Sequence, residues 1–78
     1  MYYKDYLIDE LKILDYIFSQ EIETNEAWHK QIETILQENN IYDYISLSIN
    51  TLEFLINYGK EIAFKYNINL TEKIGELI

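Results

Sequence analysis

The sequence predicts an all-α protein, a small three- to four-helix bundle with one long third helix. Three observations carry that prediction. Leu7, Leu11, Leu14 and Phe18 recur at +4, +3 and +4, the repeat of one helical face. Ile45, Ile49, Leu52, Ile56, Gly59 and Ala63 continue the same repeat as a heptad seam. No proline interrupts the 78 residues, and the only glycines are Gly59 and Gly75. A strand needs strict apolar–polar alternation, which the run Asp9-Glu10-Leu11-Lys12 does not supply. No linker, repeat or low-complexity stretch divides the chain, so residues 1–78 are expected to form a single helical domain.

The first helix is expected from about Tyr3 to Glu21. Tyr6, Ile13 and Ile17 form a second stripe beside the leucine stripe, and Glu10 falls between the two. A carboxylate on an apolar face is costly unless it is paired or reaches water. Glu10 is therefore expected at a boundary with solvent, or bonded to a tyrosine or lysine at an interface.

The second helix is expected from about Asn25 to Glu38, with Asn25 as its N-cap and Glu26 at the positive end of the helix dipole. Its apolar face is narrow: Trp28, Ile32, Ile35 and Leu36. Glu26, Lys30, Glu33 and Gln37 lie opposite, and the Glu26–Lys30 spacing contributes ~0.3 kcal/mol.

The third helix is expected from about Ile41 to Tyr66, with Asn40 as N-cap and Asp43 in its first turn. Unbroken, it would span about 39 Å. Leu47, Thr51, Phe54 and Tyr58 make a second ridge along it. Gly59 and Ala63 form a small patch that admits a close helix neighbour; alternatively, Tyr58-Gly59 marks a kink or a stop.

The last helix, about Leu70 to Ile78, begins with a capping-box-like pair, Asn69 and Glu72. Ile74, Leu77 and Ile78 give it one apolar side. It is too short to persist undocked.

Helices one and three thus carry surplus apolar side chains: Tyr6, Ile13, Ile17, Leu47, Phe54, Tyr58 and Phe64. Either helices two and four cover them, or a second chain does, as small domains often require.

Composition narrows the function. Fourteen acidic residues face six lysines and no arginine, giving a net charge of −8. Such a chain repels nucleic acid and anionic membranes and attracts basic protein surfaces. There is no cysteine, and His29 is the only histidine, which excludes a cysteine- or histidine-based zinc site. Two glycines cannot build a dinucleotide or P-loop cradle. No secretory signal and no run of 18 apolar residues is visible, so a cytoplasmic location is expected. The abundance of Ile, Tyr and Asn, with no Val or Arg, points to AT-rich coding.

Candidate chemistry is sparse. Glu26, His29 and Glu33 are spaced like half of a carboxylate–histidine metal site, but the second Glu-x-x-His that such a site needs is missing. The carboxylate pairs Asp5/Asp9 and Asp9/Glu10 have no cleft signature, and Ser19, Ser46 and Ser48 have no nucleophile context. A non-enzymatic protein without cofactor or metal is expected.

Charge, however, is unevenly placed. Residues 1–40 hold nine acids and three lysines; residues 41–78 hold five acids and three lysines. The expected function is binding to, and inhibition or modulation of, a protein partner, including one with a basic nucleic-acid-binding site. By analogy of composition alone, such a chain suits a phage or mobile-element inhibitor, an antitoxin or an immunity protein; no motif here matches a particular family of these. Tyr2, Tyr6, Asp5, Asp9, Asp15, Glu23, Glu26 and Glu33 are the expected partner-binding residues. The alternative is a structural or adaptor homo-oligomer, a dimer pairing through the stripes of helices one and three, with Glu10, Leu47, Phe54 and Tyr58 at the contact.

Overall fold

Helix α1 (Tyr3–Gln20) forms where the leucine stripe predicts it, and Leu7, Leu11, Leu14 and Phe18 all turn inward with Ile8 and Ile17. The computed structural model describes residues 2–77, apart from the side chain of Leu77; the expected apolar contribution of Leu77 and Ile78 lies outside that description. Among the described residues there are three further helices, α2 (Ile22–Glu38), α3 (Ile49–Lys65) and α4 (Leu70–Leu77), and no strand. α1 is the central element, packed on both α2 and α3. The Cα envelope measures 31 × 30 × 16 Å, about two helical layers deep.

The second helix starts three residues earlier than expected. Only Glu21, extended at φ −105° and ψ 102°, separates it from α1. The Glu21 carbonyl accepts from the backbone N–H groups of Thr24 and Asn25 and from the Thr24 hydroxyl. Asn25 is therefore inside the first turn rather than its cap. Its side-chain oxygen is buried without a partner. The narrow apolar face stands: Trp28, Ile32 and Ile35 are buried, and Leu36 packs against them.

The expected long third helix is shorter. α3 has 17 residues, against 18 in α1 and 17 in α2. Asn40 does not cap it; with φ 54°, Asn40 ends α2 instead. The Ile41 N–H bonds to the Leu36 carbonyl at 2.9 Å and the Asn40 N–H to the Gln37 carbonyl at 3.2 Å, a Schellman motif. The Asp43 carboxylate then accepts from the Ser46 N–H, forming a local turn. Ser48 is the real N-cap, accepting from the Thr51 N–H and donating to the Thr51 hydroxyl. Three local side-chain bonds thus outweigh an apolar repeat that ran on into the connection. Ile45, expected on the seam, is exposed.

The seam itself is real over Leu52, Ile56, Gly59 and Ala63, all buried together with Leu55 and Ile62. α3 runs unbroken through Gly59. A Cβ there would meet Leu14 Cδ1 at 2.9 Å, Trp28 Cζ3 at 3.1 Å and Phe18 Cε2 at 3.4 Å. Gly59 is the point where α3 presses onto α1 and α2. α3 ends as α2 does: Asn67 takes φ 59°, and the Ile68 N–H reaches the Ala63 carbonyl at 2.8 Å. Asn69 caps α4 as expected, accepting from the Glu72 N–H at 3.1 Å.

The surplus apolar side chains divide. Ile17 and Leu47 are in the core, Leu47 at 1% exposure, and Ile13 and Tyr58 pack on its edge. Tyr6, Phe54 and Phe64 remain exposed, Phe64 at 87%.

The two glycines differ in sign. Gly59→Ala gains about 1 kcal/mol of helix propensity but must displace packed atoms at a cost of about 1–3 kcal/mol, so a net loss of stability is expected. Gly75 has nothing within 4 Å of the added Cβ, and Gly75→Ala should gain about 1 kcal/mol. Urea midpoints of the two variants check both signs. In the same assay, Asn40→Gly and Asn67→Gly should each stabilise by about 0.5–1 kcal/mol, because glycine adopts the left-handed conformation without steric cost.

Candidate functional site

The site begins with how α1 is held. On one flank, the Trp28 indole N–H donates to Asp15 Oδ1 at 2.9 Å, tying α1 to α2. Trp28 is fully buried, its ring 4.9 Å from that of Phe18 and 6.4 Å from that of Tyr58. On the other flank, Lys60 of α3 reaches Glu10 at 3.8 Å. The Trp28–Asp15 bond and the buried leucine stripe leave the remaining side of α1 outward; the Lys60–Glu10 pair is a surface contact that adds little. Tyr2, Asp5, Tyr6, Asp9 and Tyr16 are all exposed.

α2 is oriented in the same way. Ala27 borders a groove with Tyr58, and Gln31 and Ile35 border one with Phe54, so this flank faces α3. Leu36, on the opposite flank, packs at the core's edge and borders a groove with Asn40, Ile41 and Tyr42 of the connection. Glu26 and Glu33 follow on the solvent side of that flank, both exposed. Glu23 is exposed in the first turn, beside the Glu21 corner. Asp5 and Asp9 of α1 and Glu23, Glu26 and Glu33 of α2 are thus exposed on two helices packed against each other, and Lys12 and Lys30 are exposed on the same two helices.

Each expected partner-binding residue is therefore accessible except Asp15, which is half-buried and engaged with Trp28. Asp15 supports the fold: it accepts the hydrogen bond of a buried indole. Among the described residues two ion pairs occur, Lys60–Glu10 and Lys73–Glu21, and neither involves Asp5, Asp9, Glu23, Glu26 or Glu33.

The residues expected at a contact between chains are distributed differently. Leu47 is not on a helical ridge; the 39–48 connection folds it into the core, where a second chain cannot touch it. Tyr58 is half-buried and stacked between Trp28 and Phe54. Phe54 keeps 52% of its surface. Glu10, its side chain 24% exposed, sits at the edge of a cleft of about 220 Å³ between α1 and α3, whose lining includes Tyr3, Tyr6, Glu53, Asn57 and Lys60. Tyr3 and Tyr6 stack there, ring centroids 6.5 Å apart and planes 16° apart. Sequence reading flagged Glu10 but not Glu53, Asn57 or Lys60. Those three lie 43 to 50 positions away, on a helix whose register against α1 no spacing reveals.

A larger and shallower groove lies at the end of α2, lined by Glu33, Leu36, Asn40, Ile41 and Tyr42. Among the described residues no group of three or more His, Cys, Asp or Glu side chains is placed to hold a metal ion, and no helix is long and apolar enough to cross a membrane. Comparison of the chain with protein-family models, with curated proteins and with solved structures returns no match.

Tyr44 belongs to the same neighbourhood. Burial pushes its hydroxyl up to about 12, and the charge of Asp15 adds to the effect. The folded state thus keeps Tyr44 neutral where the unfolded chain would ionise it at its ordinary value of about 10. Its contribution to stability is complete below pH 10 and is lost as pH rises toward 12. Alkaline unfolding of Tyr44→Phe should be less steep over that window, monitored by far-UV circular dichroism. At neutral pH, Asp15→Ala should cost about 2 kcal/mol, since it leaves the buried indole N–H without an acceptor. Asp15→Asn, which retains an acceptor oxygen, should cost less in the same urea titration.

Proposed function

We propose that this protein is a non-enzymatic binding domain that docks its α1–α2 outer surface onto a basic region of a protein partner and modulates or blocks that region. The observation that supports this reading is the placement of charge. Asp5, Asp9, Glu23, Glu26 and Glu33 are exposed on two adjoining helices and unpaired among the described residues. Nine of the fourteen acids precede residue 41. Such a surface attracts a positive patch over a distance of the order of the Debye length, roughly 8–10 Å in physiological salt, and raises the association rate. Exposed Tyr2, Tyr6 and Tyr16 add amphipathic contact area at low entropic cost. A nucleic-acid-binding site is one basic region of the right sign, and occupying it would exclude the polyanion.

The homo-oligomer is the second reading, favoured by exposed Phe54 and Phe64. Charge opposes it, since each copy carries a net −8.

The test is binding to a basic partner recovered by affinity capture at low salt. Retention should fall steeply between 50 and 300 mM salt and be weakened at least about tenfold in the Asp5→Asn/Asp9→Asn/Glu26→Gln/Glu33→Gln variant. Duplex DNA should compete if the occupied site is a nucleic-acid site. Salt-independent retention, or retention unaltered in the quadruple variant, would overturn the docking surface. Light scattering at micromolar concentration, with Phe54→Asp as the probe, checks the second reading: it expects a dimer that the substitution dissociates.

A further inference from the structure

We propose that the cleft between α1 and α3 is a socket for an arginine side chain of the partner. The inference rests on the reading of a basic partner and names one contact within it. The lining of the cleft includes Glu10, Glu53 and Asn57 together with the stacked pair Tyr3 and Tyr6. Arginine fits this set. Its planar fork can donate to both carboxylates at once, while its face lies against a tyrosine ring. Lysine, a compact point charge, can satisfy one carboxylate and gains less from the rings.

The cleft already draws one cation. Lys60 approaches Glu10 but stays 3.8 Å away, and its own side chain is 57% exposed. That is a loose surface pair, worth little and easily exchanged for a better donor. With Lys60 in place the three charged groups still sum to an excess of one negative charge. Glu10 is the more withdrawn of the two pair members, so a partner able to bond it directly gains where water is already partly excluded.

The occupant is not among these 78 residues. They contain no arginine, so neither a contact among them nor a second copy of them can fill the socket with one. The cleft also shares Tyr6 with the outer acidic surface, so a partner seated on α1 would reach both.

The experiment uses the full chain labelled with ¹⁵N and two probes of equal charge, hexa-arginine and hexa-lysine peptides, titrated at low salt. The arginine peptide should bind about three- to fivefold more tightly than the lysine peptide, with saturable amide shifts at Tyr6, Glu10, Glu53 and Asn57. Glu10→Gln with Glu53→Gln should abolish that preference. Lys60→Met should increase it, because the resident competitor is gone; this variant leaves both carboxylates in place. A peptide ratio near one, or shifts spread over α1 and α2 with none at Asn57, would overturn the socket. Two outcomes separate it from the docking surface. If the quadruple variant of Asp5, Asp9, Glu26 and Glu33 weakens both peptides while the Glu10/Glu53 variant changes neither, the docking surface stands and the socket falls. If only the Glu10/Glu53 variant matters, the socket stands without the wider surface.

Discussion

The domain is organised around a single buried tryptophan. Trp28 is fully enclosed, and an indole of that size among three helices can be accommodated only if one of them yields space. α3 yields it at Gly59, where the missing Cβ lets the backbone come within van der Waals reach of the ring edge. The other requirement is polar. A buried indole N–H needs an acceptor, and Asp15 of α1 supplies it. One residue of α2 therefore sets the distance to α3 and the rotation of α1 together. Phe18 and Tyr58 complete the enclosure as further ring contacts.

Rotation of α1 is what gives the molecule an outer surface of definite character. With Asp15 committed to α2 and the leucine stripe to the core, Tyr2, Asp5, Tyr6, Asp9 and Tyr16 are left exposed along α1 and its N-cap, Tyr6 beside the cleft with α3 and Tyr16 beside α4. Acidic residues whose charge would strain the interior are kept where water screens them, and the few lysines neutralise little. The charge is also uneven along the sequence, with nine of the fourteen acids before residue 41. The same arrangement explains why Asp15 behaves unlike its acidic neighbours: it is the only carboxylate among the expected docking residues with a buried donor to satisfy.

Much of the fold was legible in the sequence, and the reasons are local. Leucine spacing located α1 almost to the residue, and the Asn69–Glu72 pattern located the start of α4. The errors arose where periodicity and capping competed. The apolar repeat continues backward through Ile49 and Ile45 into a connection, so the repeat alone could not show that Ser48 takes the cap. Asparagine misled for a related reason. It suits both the cap of a helix and the left-handed residue that ends one, and in this proline-free, glycine-poor chain Asn40 and Asn67 do the work glycine usually does. The exposure of Asp5, Asp9, Glu26 and Glu33 was legible from helix phase. The cleft was not, because Glu10 and Lys60 meet only once Trp28 has fixed the register between helices.

The attachment of α4 has a consequence for how the domain breathes. Eight residues are too few for a helix to persist alone, and its described ties are Leu70 and Ile74 at the core's edge and a surface ion pair, Lys73–Glu21, at 3.7 Å. The amides of this segment will exchange with solvent through small local openings, whereas those around Trp28 will wait for global unfolding. When α4 lifts, Ile17 loses cover at the corner where α1 gives way to α2. The fold therefore sets a soft element, α4, directly beside its hardest packing, the enclosure of Trp28.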